Sequence, residues 1–133
     1  MKITAMNNMK KLSATLIFLT VCLSIGCKQE RKLPDPLEAG WKGEKVCEVL
    51  FENDEMRVLK CTFPPGVGHE KHSHDPHFGY TIKGSKFRMT NDSGAVREVN
   101  VPTGSSFDNA KRITHEVLNI GDSTGVFLIV EHK

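Results

Sequence analysis

Four of the six histidines lie in one stretch between Gly66 and Gly84: His69, His72, His74 and His77. His115 follows in a separate strand-like run, Ile113 to Ile120. In an extended segment alternate side chains share a face, so His72 and His74 point the same way. Two imidazoles from one strand and a third from a neighbour are a common way to hold a divalent metal. Neutral imidazole suits transition ions, and the candidates are Zn, Fe, Ni, Cu or Mn; ligand type alone does not choose among them. The chain offers no Ser-His-Asp and no reactive-cysteine arrangement, which argues against metal-free nucleophilic catalysis. The bland alternative is a polar surface patch of histidines.

The elements that must position these side chains are short strands. Val46 to Phe51 and Met56 to Phe63 flank the turn Asn53-Asp54-Glu55 and read as a hairpin. A hairpin centred there sets Cys47 opposite Cys61, as a disulfide or as two small buried thiols. Pro64-Pro65-Gly66 breaks the chain before the histidine segment. Strand-like runs follow at 78–83, 86–90, 95–101, 105–108, 113–120 and 126–131, divided by Gly, Pro and Asp turns. With no amphipathic helical run after the leader, this pattern implies an all-β sandwich or barrel.

Within that frame His77 has two registers. If His77 faces inward, so do Gly79, Thr81 and Lys83, and a pocket is left open beside the metal. The opposite register buries Phe78, Tyr80 and Ile82 and turns His77 out. A slip of one residue exchanges the two faces. His69 is out of phase with His72 and His74 and is expected on the rim. Glu70 and Asp75 read as solvated turn charges. Val126 to Val130 is apolar without alternation, the pattern of a strand covered on both faces. Its outer side would then need a second subunit, so a homodimer is expected.

The spacing around the histidines resembles that of a small single-domain cupin, over roughly Asp35 to Lys133. The first cupin motif runs glycine, five residues, His-x-His, a glutamate and a closing glycine; Gly66, His72, His74 and Gly84 fit it. The second is fitted by Gly104, His115 and Asn119. The resemblance implies a cupin-type jelly roll, a double-stranded β-helix. It also implies a metal held by His72, His74 and His115, with His77 a fourth ligand in the glutamate's place. Ala110 and Arg112 replace the second motif's proline and glycine. With the carboxylate replaced, the two-His-one-carboxylate set of many iron oxygenases is absent. A site of this kind binds or converts a small molecule, or senses one without catalysis. A third reading is a structural module with a vestigial site.

The first 26 residues read as a leader. Lys2, Lys10 and Lys11 form a positive start, and Leu12 to Ile25 is mostly apolar, too short to span a bilayer and suited to a signal peptide. Leu23-Ser24-Ile25-Gly26-Cys27 resembles a bacterial lipobox, with Ser24 where leucine is usual. That implies a lipid on Cys27 and a membrane-anchored lipoprotein of the cell envelope; ordinary secretion is the alternative. The expected organisation is leader 1–26, tether 27–44 and cupin domain 45–133. Loss of the leader takes 18 basic residues to 15 against 16 acidic ones. Neither balance has the excess positive charge that nucleic acid would require.

Overall fold

The computed structural model describes residues 32–133. Leader 1–26 and the lipidation candidate Cys27 lie outside the described residues. Nine strands run in order: β1 (Cys47–Glu52), β2 (Met56–Phe63), β3 (Gly68–His74), β4 (His77–Lys83), β5 (Ser85–Asn91), β6 (Val96–Val101), β7 (Ser106–Asn109), β8 (Ile113–Asn119) and β9 (Gly125–His132). They form two antiparallel sheets, β1-β2-β9-β4-β7 and β3-β8-β5-β6. The expected jelly roll is therefore observed, and no helix of the described residues is long and apolar enough to cross a membrane.

The first hairpin has the expected register, with Cys47 opposite Cys61 and the two joined by an S–S bond of 2.01 Å. On β2, Leu59, Cys61 and Phe63 face inward; on β9, Phe127 and Ile129 do. Phe63, Phe87 and Phe127 meet with ring centroids 5.4 to 6.0 Å apart, in edge or tilted contacts that suit aromatic quadrupoles. These rings and the residues around them form the apolar core.

Two residues of the family-like motifs serve the backbone. Gly84 sits where an added Cβ would collide with the backbone of Val101 and Pro102, so only glycine lets the chains approach there. Asn119 is fully buried, and its amide closes a turn. Its Nδ2 donates to the carbonyls of Phe63 and Ser123, while its Oδ1 accepts from Gly121 N–H and the Ser85 hydroxyl.

Residues 32–44, the part of the expected tether that runs onto the domain surface, pack on the barrel and belong to the same compact unit as the strands. Ser73 N–H donates to the Pro34 carbonyl and Glu70 N–H to the Gly40 carbonyl. Ala39 is buried, and Trp41 packs against the core and covers Gly68. The prolines that make this stretch look like a linker lack an N–H but keep a carbonyl, and the barrel uses it.

Candidate metal centre

His72 and His74 lie on β3, and His115 faces His72 directly across the β3–β8 ladder. One potential ligand nitrogen from each of the three rings falls within 4.8 Å of the others. His72 and His74 are buried, and their Nε2 atoms are 2.9 Å apart.

The ring partners decide which nitrogens carry hydrogen. His72 Nδ1 lies 2.7 Å from the Glu70 carbonyl, and a carbonyl only accepts, so Nδ1 is the donor. His74 Nδ1 lies 2.8 Å from Glu131 Oε1 and donates to that carboxylate. In the neutral rings both Nε2 atoms are then bare lone pairs facing each other. Burial, first of all, pushes the pKa of both rings down. For His74 the cationic Arg57 behind Glu131 acts in the same direction, so the contact is a hydrogen bond from a neutral ring. Burial, with the neighbouring imidazoles, brings His115 down to about 2. Two lone pairs at 2.9 Å repel unless a cation lies between them. A metal about 2.0–2.1 Å from each of two imidazole nitrogens places them roughly 3 Å apart, so these residues fit an ion.

Glu131 was not singled out in the sequence, where it reads only as a strand end. It is 2% exposed and lies between His74 and Arg57, which binds it through Nε and Nη2 at 2.9 and 2.6 Å. Arg57 also reaches Asp35 at 3.0 Å. This places a carboxylate behind a ligand-type histidine, a partner that fixes ring orientation and raises basicity. The inward alternation of Gly125, Phe127, Ile129 and Glu131 on β9 was the available signal.

His77 takes the inward register: His77, Gly79 and Thr81 are buried, and Phe78, Tyr80 and Ile82 are exposed. Its Nδ1 donates to the Asp75 carbonyl at 2.8 Å, and its ring lies beside His74 with centroids 4.6 Å apart. Its Nε2 faces the Asn109 amide, 3.1 Å from Nδ2. The structure thus brings His77 to the edge of the cluster, outside the converging trio.

His69 departs from expectation. It is 2% exposed, stacks on His72 with centroids 3.7 Å apart and reaches the Pro36 carbonyl through Nε2 at 3.0 Å. The cause is a bulge between His69 and His72, where Glu70 and Lys71 both turn outward and the alternation skips a step. Burial, then the neighbouring imidazoles, brings its pKa down to about 3. The Glu70 and Asp75 side chains face solvent, while their carbonyls orient His72 and His77.

Beside the histidines lies a cavity of about 300 Å³. Its walls are mostly apolar, with Phe63, Phe87, Val99, Phe107 and Phe127 among them, and His74 and His115 open onto it. A small apolar cavity with a few convergent polar groups is the form of a small-molecule site.

No protein-family model matches the sequence, and no curated protein matches it in sequence. Solved structures do resemble it in fold. A cupin domain from Bordetella pertussis Tohama I is 22% identical with a TM-score of 0.61, the match covering 77% of this chain and 97% of that one. A conserved protein with a double-stranded β-helix domain from Klebsiella pneumoniae is 18% identical with a TM-score of 0.56, covering 68% and 78%. The polyketide cyclase RemF from Streptomyces resistomycificus is 20% identical with a TM-score of 0.51, covering 65% of this chain and 63% of that one. The described residues have the cupin fold.

Proposed function

We propose that this cupin-fold chain holds a divalent transition metal on His72, His74 and His115, beside a cavity that binds or converts a small molecule. The observation that carries the reading is the pair of bare Nε2 atoms 2.9 Å apart, with His115 converging on them. When bound, the ion supplies a Lewis acid or an oxygen-binding centre. The chain's own residues do the rest. Glu131 and the Glu70 carbonyl hold the His74 and His72 rings in the ligating tautomer, and the phenylalanine walls exclude water. His77 is the fourth side chain of the set and joins the ion if its Nε2 exchanges the Asn109 amide for it.

Metal analysis of tag-free protein tests this. Near-stoichiometric metal is expected, lost in His72→Ala and in His115→Ala with the fold intact. Metal-free wild-type protein after growth with Zn, Fe, Ni, Cu and Mn supplied would end the reading. Metal kept in His77→Ala would reduce the set to three. A non-catalytic binder or sensor is the second reading, favoured by the all-imidazole make-up of the converging trio among the described residues. Oxygen uptake with acids, phenols and sugars separates the two.

We also infer a lipoprotein of the cell envelope, anchored through Cys27. The leader-like residues 1–26 support it, and the Cys47–Cys61 bridge suits an oxidising compartment. A Cys27→Ala chain that still partitions with membranes would refute the anchor. A homodimer across the outer face of β1-β2-β9-β4 is inferred as well. There Phe51, Val58, Val130 and Phe78 form one cross-strand row, with Leu128 and Tyr80 beside it. An apolar row of this extent on a sheet face matches the self-complementary surface of a twofold pair. Light scattering at micromolar concentration that returns a monomer would exclude it.

A further inference from the structure

Among the described residues the cavity walls carry one fixed charge, Arg97, and no carboxylate. Its position follows from the strand register. On β5 and β6, Ser85 faces Val101, Phe87 faces Val99 and Met89 faces Arg97. Val101 and Val99 are half-buried and line the cavity, and Arg97, the next residue in that alternation, lines it too while staying exposed to solvent. An arginine therefore stands where the pattern asks for a third apolar side chain. It also borders the open groove that shares Met89, Asn109, Ile113 and His115 with the cavity, so it stands at the cavity's mouth.

The other described arginines are committed. Arg57 binds Glu131 and Asp35, Arg88 binds Glu98, and Arg112 binds Asp75. Among the described residues Arg97 meets the Met89 sulfur, at 3.7 Å from Nη2, a weak acceptor for a guanidinium. On the outer side of the same hairpin, Glu98 already holds Lys86 and Arg88.

We propose that Arg97 is the anion-recognising residue of the cavity, and that its ligands are small monocarboxylates with an apolar body. The proposal rests on the reading of this cavity as the ligand site. A guanidinium offers a planar fork that matches a carboxylate in two parallel hydrogen bonds. The apolar body lies against Phe87, Met89 and Val99. A volume of about 300 Å³ is at the small end for ligand pockets, which suits a small ligand, and a single guanidinium matches a single carboxylate. Arg97 lies two strands from β8, about 10 Å across the sheet. A ligand held by its carboxylate at Arg97 extends its other end toward His115.

The test compares acids with their neutral amides: 3-phenylpropionate with 3-phenylpropanamide, and 4-methylpentanoate with its amide. Binding is measured by calorimetry on the zinc-loaded chain, and metal content is measured on the same samples. At least one acid is expected to bind about tenfold or more tighter than its amide, the scale of a charge-assisted hydrogen bond. Arg97→Gln should abolish that preference and leave metal content and amide binding unchanged. Arg97→Lys should keep part of it. Equal binding of acid and amide to wild type, no binding of either acid, or a preference that survives Arg97→Gln would each overturn the proposal. A wild-type chain that takes up no zinc but shows the Arg97-dependent preference would overturn the metal reading and leave this one standing.

Discussion

The two faces of β4 carry opposite chemistry. Inside, His77, Gly79 and Thr81 are buried; outside, Phe78, Tyr80 and Ile82 are exposed by 43%, 42% and 39%. Neighbouring β9 differs, being apolar on both sides until its inner face ends in Glu131. A strand selected only for a core would place its aromatics inward. Here the inner positions are small or polar, which keeps room for the cavity and for the imidazoles. The apolar side chains are on the outer face, where a second subunit would account for them. The two faces therefore make separable demands, and substitutions on each should move different measurements.

The largest effect on the inner site comes from removing ligands. His72→Ala with His115→Ala leaves one of the three converging nitrogens. Zinc affinity, measured against a chromophoric chelator, should fall beyond detection. Retention of zinc by this variant would contradict the assignment of the trio. Next comes Glu131→Gln, which keeps the side-chain shape and removes the carboxylate behind His74. Loss of such a partner costs about 10–100-fold in metal affinity. Unchanged affinity would mean that Glu131 serves only Arg57. Third is Gly79→Ala. An added Cβ would meet the Phe107 ring, so the ring must shift. Overpacking of this kind costs about 1–3 kcal/mol, and denaturant unfolding should show it. Metal affinity should change only a few-fold, because Gly79 carries no ligand.

Much of this contrast was legible before any coordinates. Strand alternation predicted that His72 and His74 share a face, and the turn at Asn53-Asp54-Glu55 predicted Cys47 opposite Cys61. His115 and Asn119 came from the second motif's spacing. His77 needed the tie between two registers broken. Hydrophobicity alone favoured burying Phe78, Tyr80 and Ile82, because the outer face of β4 is more apolar than its inner face. His69 was misplaced because a bulge adds a residue, and period-two counting assumes that none is added. Glu131 and Arg97 stayed hidden for a related reason. Each is a charge near a strand end, where the solvated reading is ordinarily correct; Glu131 is buried, and Arg97 is exposed at the rim of the cavity. His74, the partner that makes Glu131 informative, comes from a distant strand, and Arg97 becomes informative only once the fold encloses a cavity beside it.

The smallest expected effect on the metal is on the outer face, and it is the sharpest check on whether the faces are independent. Phe78→Ser with Tyr80→Ser removes two exposed rings that touch no histidine in the trio. Zinc affinity should stay within about twofold, well under the 1.4 kcal/mol that a tenfold change represents. Self-association should change instead, because aromatic side chains are the groups most often central to such interfaces. Sedimentation of wild type and variant at matched concentration reads this directly. A dimer in the wild type and a monomer in the variant, both fully metallated, would show that the apolar outer face serves assembly. If zinc affinity fell with the rings, the separation drawn between the faces would fail. The inner strand positions would then depend on the outer contacts to stay in register.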